Sequence, residues 1–293
     1  MQSLTFAFFG TGALAESVLA NLYRNGYIPS LLVTKPDSLQ GRHMVLTEPY
    51  IKTWANLKGI QVFQPETLKD IPKDSPLHAK HFDLFIVASY GKIIPDVILN
   101  LPEHGVLNVH PSLLPKYRGP SPIETALLLG DLTTGVSIMK LDALMDHGPI
   151  LVQNAFTVPV EATSGSLEVS CGQIGGEMLV QCLPHYLNGT LIPKEQNHSE
   201  AVTCKKITKD MGLMHLDENI DQVRRKFRAL TPWPGIYFFI THLGKDIRVK
   251  VNAVDLVTSK DSSLAKDYIV SVTPEGKKQM DFESFKRGYL DAH

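Results

Sequence analysis

The chain has 293 residues, of which 43% are hydrophobic and 20% are charged, and its formal net charge is −1. This length allows two domains of ordinary size, and this composition excludes a disordered chain. No apolar run approaches the roughly 20 residues that span a bilayer, and the amino terminus lacks the basic region of a signal peptide. The three cysteines are too few and too scattered for a disulfide framework or a metal cluster. We therefore expect a cytoplasmic protein without a membrane segment or a metal ion.

Short apolar runs alternate with helical patterns in the first half of the chain. The runs that predict strands cover residues 4–9, 30–34, 61–63, 83–88, 105–109 and 135–141. The patterns that predict helices cover residues 13–25, 121–129 and 167–187. Because strands that are separated by helices form mostly parallel sheets, we expect a Rossmann-like, doubly wound α/β domain over residues 1–188.

A change in composition follows this domain. Residues 189–203 are polar and predict a linker. Beyond it, one helical pattern at 219–230 precedes β-rich segments at 237–241, 246–254 and 268–272, which predict a small OB-like β-barrel domain over residues 204–293. From Thr203 onward the chain has 16 Lys and Arg against 12 Asp and Glu, so this mildly basic domain is suited to an anionic partner.

An amide and an imidazole, Asn108 and His110, lie at the end of the fifth strand-like run. Side chains two residues apart on a strand face the same side, so both point beyond the carboxyl end of the strand, where open α/β sheets bind ligands. The prolines and the glycine that follow, up to Gly119, predict a stiff loop. A donor for a developing oxyanion beside a titratable group indicates acyl or formyl transfer.

A second polar segment, residues 134–151, runs from a strand into a loop with two aspartates, Asp142 and Asp146. Asp146 is the expected partner of His110, because a nearby carboxylate stabilises a protonated imidazole and fixes its tautomer. In the alternative interpretation, Asp146 is a turn residue that caps its own backbone.

The first βα turn, from Gly10 to Ala15, fits the pattern G-x-G-x-x-A and allows a dinucleotide-binding interpretation. The expected acidic residue at the end of the second strand is missing, since Asp37 comes late, in a turn with a proline. Tight βα turns also need glycine for steric reasons alone.

Together these segments resemble the folate-dependent formyltransferases. The resemblance rests on Asn-x-His-x-Ser-Leu-Leu-Pro from Asn108 followed by Arg-Gly, and on Thr-Gly-Val from Thr134 upstream of Leu-Asp-x-x-x-Asp-x-Gly. Further matching segments are residues 34–37, 41–42, 63–65 and 88–95, and residues 228–235 in the second domain. The resemblance covers most of the chain.

The resemblance implies transfer of the formyl group of 10-formyltetrahydrofolate to the α-amine of initiator methionyl-tRNA, without a metal ion. Asn108 and His110 would stabilise the charge on the formyl oxygen, and Asp146 would tune His110 and help to move the proton. The residues that it assigns to the folate pocket are Tyr90, Gly91, Ile93, Ser112, Leu113, Leu114, Pro115 and Asp142.

Contacts with tRNA are expected from basic residues of both domains: Lys35, Arg42, Arg118, Lys205, Lys206 and Arg225. The loop over residues 35–49 is less basic here than is usual in members of the family that act on methionyl-tRNA, with Asp37 and Glu48 opposing its cations. Arg42 is the strongest single candidate for an RNA contact. We expect the protein to act as a monomer.

Three alternatives remain at this point. A related enzyme could formylate the amine of a nucleotide sugar with the same donor and the same three polar residues. A non-catalytic RNA-binding protein could retain a degenerate formyltransferase fold, although the complete set of Asn108, His110 and Asp146 argues against it. A nicotinamide-dependent dehydrogenase is the weakest alternative, because it rests on the glycine turn alone.

Overall fold

The computed structural model describes residues 4–40, 44–258 and 262–290. The chain divides into two compact units. The first consists of Met1–Pro122, Thr134–Phe156 and Glu168–Cys204, and the second consists of Ile123–Thr133, Thr157–Leu167 and Lys205–His293. Residues 189–204 thus belong to the first unit, and two inner segments, 123–133 and 157–167, belong to the second.

A mixed sheet organises the first unit. Its strands are β1 (Phe6–Gly10), β2 (Leu31–Val33), β5 (Val62–Phe63), β6 (Leu84–Ala88), β7 (Val106–His110), β8 (Thr133–Lys140) and β9 (Ile150–Thr157), and the short hairpin strands are β3 (Ser38–Gln40) and β4 (Val45–Thr47). In the described part of the chain the order is β5-β2-β1-β6-β7-β8-β9. The pairs from β5 to β7 are parallel, and β8 is antiparallel to β7. The mostly parallel sheet predicted from the alternating pattern is confirmed.

Helices separate these strands: α1 (Ala13–Arg24), α2 (Tyr50–Leu57), α3 (Asp96–Leu99), α4 (Pro122–Leu129) and α5 (Ser164–Leu187). The patterns at 13–25, 121–129 and 167–187 predicted α1, α4 and α5 to within a few residues. The sequence reasoning missed α2, α3, the β3–β4 hairpin and β9. β9 lies at the edge of the sheet, and its outer half is largely exposed, so it lacks the continuous apolar run of a buried strand.

Large side chains pack together in the core beside the sheet. Phe9, Phe85 and Tyr90 pack in one buried cluster, with the ring of Phe9 edge-on to that of Tyr90 at 5.5 Å between centroids. On another part of the sheet, Gly175 of α5 lies so close to Val109 of β7 that a β-carbon at position 175 would overlap the valine. The backbone of α5 thus lies directly against the strand that carries Asn108 and His110.

The second unit contains an antiparallel sheet of β10 (Ile236–His242), β11 (Lys245–Val254), β12 (Ile269–Pro274) and β13 (Met280–Asp281), with helices α6 (Ile220–Ala229) and α7 (Phe282–Phe285). Side chains alternate along β10, so Ile236 and Phe238 are buried while Phe239 is exposed. The β-rich architecture predicted for the carboxyl-terminal region is confirmed.

Across the residues that the structure describes, no helix combines the length and the apolar character that a membrane crossing requires.

Candidate active site

Two neighbouring strands deliver the polar residues. β6 and β7 run parallel with Ala88 paired to Val109, so the loop after β6 emerges beside the end of β7. Asn108 and His110 lie on β7 opposite Met139 and Ser137 of β8, and both side chains are at least nine-tenths buried. The alternation along β7 therefore places the amide and the imidazole on one side, in surroundings where electrostatic interactions are strong.

One ring nitrogen of His110 is fixed by the backbone. Its Nε2 lies 2.9 Å from the carbonyl oxygen of Tyr117. Because a carbonyl oxygen only accepts hydrogen bonds, Nε2 must carry a proton. The other nitrogen, Nδ1, faces the carboxylate of Asp146, with Nδ1 and Oδ1 3.6 Å apart. Nδ1 is thus the nitrogen of His110 that is available for proton transfer.

The carboxylate of Asp146 connects three parts of the site. Its Oδ1 is 3.5 Å from the Nδ2 of Asn108 and 3.6 Å from His110, and its Oδ2 accepts a hydrogen bond of 2.8 Å from the backbone N–H of Gly119. The structure therefore brings Asn108, His110 and Asp146 together. Asp146 itself has a φ of 49°, a left-handed conformation that is uncommon for a residue other than glycine.

The backbone conformation and surroundings of Gly119 disfavour any residue that has a β-carbon. Its φ is +118°, and a β-carbon there would lie 2.8 Å from the carbonyl oxygen of Cys204. We expect Gly119→Ala to lower the free energy of unfolding by about 1–3 kcal/mol, through the strained φ and this overlap. Gly189→Ala is the matched control, because Gly189 also has a positive φ, of +75°, but open space around it. Urea denaturation of both variants measures the difference, and equal losses would contradict the overlap.

The residues assigned to the folate pocket after β6 lie in a sharply turned loop. Ser89 and Gly91 have φ values of 50° and 71°, and Ile93 is exposed. The side chain of Tyr90 points into the core instead, where burial raises its pKa to about 12. Its hydroxyl lacks a hydrogen-bond partner among the described residues. This loop can therefore offer backbone groups, with Ile93 as an apolar contact.

The turn over residues 112–115 is held by two side chains that the sequence reasoning missed. Ser137 of β8 donates to the carbonyl oxygen of Ser112 at 2.6 Å and accepts from the N–H of Leu114 at 3.1 Å. Gln153 of β9 donates to the carbonyl oxygen of Leu114 at 2.9 Å and to the hydroxyl of Ser137 at 2.8 Å. The signal in the sequence for Ser137 was a serine inside the apolar run from Val136 to Met139. Leu113 and Pro115 share this fixed turn.

Asp142 lies in the loop after β8 and is engaged by its own segment. Its Oδ2 is 2.7 Å from Nδ1 of His147, and its Oδ1 accepts from the N–H of Leu144 at 2.9 Å. A part of its side chain remains exposed, so a ligand could still reach it.

The candidate tRNA contacts lie in different environments. Arg42 falls outside the described residues. Lys35, Lys205 and Lys206 are exposed, and Arg225 donates to the carbonyl oxygen of Leu129 at 3.4 Å. Arg118 is buried, with its guanidinium bound to Gln196 and His198, so a phosphate contact would require breaking those bonds.

The cations of α6 mostly bind their own unit. Arg224 donates to the carbonyl oxygens of Asp255 and Thr258, and Lys226 pairs with Glu218 at 3.0 Å. Arg228 donates to the carbonyl oxygen of Ala162 at 2.8 Å. Most of the basic side chains of α6 therefore make hydrogen bonds or an ion pair within the protein. Fewer of them are available to bind RNA than the sequence suggests.

Two further features bear on possible cofactors. A β-carbon at Gly10 would meet that of Ala15 at 2.6 Å, so packing alone explains the first glycine of the turn. In the described part of the chain, His81, Asp83 and Glu103 bring possible metal ligands within 4.8 Å of one another. The Oδ2 of Asp83 accepts a 2.7 Å hydrogen bond from the N–H of Thr5, and its Oδ1 lies 4.0 Å from Nδ1 of His81.

Two family models match successive parts of the chain. Residues 4–183 match the formyl transferase family, and residues 206–266 match the formyl transferase carboxyl-terminal domain. The methionyl-tRNA formyltransferase of Chloroflexus aurantiacus is 40% identical over 232 residues, which cover 79% of this chain and 75% of that protein. That of Caldanaerobacter subterraneus subsp. tengcongensis is 33% identical over 98% of this chain and 97% of its own length.

Solved structures share the fold at low sequence identity. A sugar N-formyltransferase from Shewanella superposes with a TM-score of 0.63 at 17% identity, over 88% of this chain and 100% of that one. HypX from Aquifex aeolicus, solved in complex with tetrahydrofolic acid, gives a TM-score of 0.65 at 17% identity over 99% of this chain and 48% of its own. With the family match extending over more than half of its residues, the chain belongs to the formyl transferase family.

Proposed function

We propose that this protein transfers the formyl group of 10-formyltetrahydrofolate to the α-amino group of initiator methionyl-tRNA. The observation that carries the proposal is that the Asn108 amide and the His110 imidazole of β7 lie 3.5 and 3.6 Å from the carboxylate of Asp146. Relatives that bear this activity in their names are 33% and 40% identical over most of the chain, which supports methionyl-tRNA as the acceptor.

In this reaction, a bond forms between the acceptor nitrogen and the formyl carbon, the bond from that carbon to the folate nitrogen breaks, and a proton passes from the acceptor amine to the folate nitrogen. Asn108 donates from Nδ2 toward the negative charge that develops on the formyl oxygen. A fixed donor in a buried site stabilises such charge without reorganising. Asn108 is therefore assigned the role of oxyanion donor.

His110 is the group that handles the proton. Since Nε2 is held protonated by the carbonyl oxygen of Tyr117, a neutral His110 presents the lone pair of Nδ1 to the amine. After it takes the proton, the imidazolium pairs with Asp146 across the 3.6 Å that separates Nδ1 from Oδ1. Asp146 thus stabilises the charged form of His110 for the moment at which the proton is in transit.

The folate co-substrate fits beside these groups. The turned loop over residues 89–93 and the fixed turn over residues 112–115 both begin at strand ends next to Asn108 and His110. They offer backbone groups and apolar side chains, which suit a flat heteroaromatic ring with polar edges. Tyr90, Gly91, Ile93, Ser112, Leu113, Leu114, Pro115 and Asp142 remain the residues that we assign to this pocket.

For the tRNA, we propose contacts through Lys35, Arg42, Lys205, Lys206 and Arg225. A mildly basic carboxyl-terminal unit is consistent with a partner that is bound mainly through phosphates. We propose that the enzyme acts in the cytoplasm and as a monomer. We also propose that it has two domains, with the boundary between them near residues 189–203.

A direct assay tests this function. The purified protein is incubated with 10-formyltetrahydrofolate and charged initiator methionyl-tRNA, and in parallel with a panel of nucleotide sugars that carry a free amine. We expect rapid and saturable formation of formylmethionyl-tRNA. Formylation of a sugar nucleotide without formylation of the tRNA would leave the donor in place and overturn the acceptor.

We expect charge reversal at Arg42 to weaken tRNA binding. Arg42→Glu should raise the KM for methionyl-tRNA, leave the KM for the folate unchanged and lower the salt dependence of tRNA binding by about one phosphate contact. Arg24→Glu, the same charge change on the exposed side of α1, is the control. An unchanged KM for tRNA in Arg42→Glu would remove this loop from the substrate site.

A further inference from the structure

The chain that leaves α5 returns across the loops of the active site. Ile150 and Lys194 exchange backbone hydrogen bonds of 2.7 and 2.8 Å, and further along the N–H of Arg118 donates to the carbonyl oxygen of Val202 at 2.9 Å. Between these two attachments the side chain of Gln196 is buried. The segment over residues 189–203, whose polar composition predicted a linker, therefore inserts one side chain beside the catalytic residues.

Gln196 binds the backbone on both sides of His147. Its Nε2 donates to the carbonyl oxygen of Asp146 at 2.9 Å and to that of Gly148 at 2.8 Å. Its Oε1 accepts from Nε and Nη2 of Arg118 at 3.1 and 2.7 Å. Because a guanidinium only donates and a carbonyl only accepts, these partners allow a single orientation of the amide.

Arg118 is itself held in place. Its Nη2 lies 2.9 Å from Nδ1 of His198, which must accept this hydrogen bond because arginine cannot. The ring of His198 stacks on that of His147 with 4.0 Å between centroids and 4° between planes. The side chain of Arg118 thus orients Gln196 from a buried position in which its Nε and Nη2 are both hydrogen-bonded, a role different from the RNA contact that its charge suggested.

The backbone that Gln196 holds is in an unfavourable conformation. Asp146 adopts a φ of 49°, which persists in a residue with a β-carbon only where its surroundings enforce it. We propose that Gln196, oriented by Arg118, is a positioning residue that holds the Asp146 backbone so that its carboxylate stays against His110 and the N–H of Gly119. This proposal rests on the proposed function insofar as Asp146 takes part in formyl transfer.

A double-mutant cycle tests the proposal. Gln196→Met keeps the length of the side chain but removes both hydrogen bonds to the backbone. It should lower kcat about 10- to 100-fold, the effect of a small misplacement of a catalytic group, with the KM for the folate nearly unchanged. In the Asp146→Ala background the same change should cost almost nothing further, because its effect passes through Asp146. An equal loss of kcat in both backgrounds, or no loss in the wild-type background, overturns the proposal.

Two further variants separate positioning from general stability. Gln196→Glu can still accept from Arg118 but cannot, as a carboxylate, donate to the two carbonyl oxygens, so it should lose as much activity as Gln196→Met. Wild-type kcat in Gln196→Glu would contradict the role of the donated hydrogen bonds. Gln181→Met, an exposed glutamine on α5, is the control and should keep wild-type activity.

Crystal structures of the wild-type protein and of Gln196→Met provide a readout that needs no acceptor. We expect the 2.8 Å contact between Asp146 and the N–H of Gly119 to persist in the wild type and to be lost in the variant. An unmoved carboxylate in Gln196→Met would overturn the positioning role. Absence of tRNA formylation by the wild-type protein would instead overturn the proposed function, so the two failures are distinguishable.

Discussion

Asp146→Ala should lower kcat for formyl transfer by about 100- to 10,000-fold, the range over which a positioned acid–base group contributes. The variant removes the carboxylate that faces Nδ1 of His110 and accepts from the N–H of Gly119. His110 keeps its hydrogen bond to Tyr117 but loses the carboxylate that lies 3.6 Å from its Nδ1. Single-turnover kinetics with enzyme in excess over methionyl-tRNA measure the loss in the chemical step.

The loss must be separated from unfolding. Circular dichroism and urea denaturation should show Asp146→Ala folded, since the substitution leaves the hydrogen bonds from Gln196 to the backbone of this loop in place. Asp70→Ala, an exposed aspartate, provides the matched control and should retain wild-type kcat. Turnover of Asp146→Ala within a few-fold of the wild type would show that Asp146 has no part in the chemistry.

Asn108→Ala is expected to reduce kcat about 100- to 1,000-fold, the usual effect of removing one donor to a developing oxyanion. Its KM values should change little, because the interaction strengthens only in the transition state. Asn108→Asp should be worse still. It replaces the donor with a carboxylate oxygen beside a second carboxylate, since the present Nδ2 lies 3.5 Å from Asp146 Oδ1.

The comparison of these two variants discriminates between roles for Asn108. If Asn108 donates to the oxyanion, kcat should fall from the wild type to Asn108→Ala and fall further in Asn108→Asp. A purely structural amide at the end of β7 would show its loss in thermal unfolding instead of kcat. Asn56→Ala, at an exposed position on α2, controls for the loss of an amide. Equal kcat values for Asn108→Ala and the wild type would refute the assignment.

Local patterns were sufficient to predict much of the fold. The runs at 83–88 and 105–109 predicted β6 and β7, because both strands are completely buried. β6 is continuously apolar, and β7 is interrupted only by the site residues Asn108 and His110. The edge strand β9 and the β3–β4 hairpin have exposed side chains and no such signal. Periodicity reports burial, so elements at the periphery of a sheet escape it.

The site divides in a similar way. Asn108 and His110 could be paired from their spacing on one strand, and Asp146 was predicted as the partner of His110. The hydrogen bond from the N–H of Gly119 to Asp146 was not predicted, because it depends on how two loops distant in sequence fold back. The role of Gln196 could not be predicted from the sequence, because its partners lie 48, 50 and 78 residues away along the chain. The residues around it also have the polar composition of a linker. For Arg118 the charge predicted an RNA contact, while burial and three hydrogen bonds indicate a support inside the site.

The most direct test of the central claim is a competition between acceptors in one reaction. Initiator methionyl-tRNA and an amino-sugar nucleotide are supplied at equal concentrations with limiting 10-formyltetrahydrofolate, and the two formylated products are quantified by mass spectrometry. Their ratio gives the ratio of kcat/KM for the two acceptors without separate calibration. We predict that formylmethionyl-tRNA is the dominant product by far. Predominant formylation of the sugar nucleotide would contradict the account.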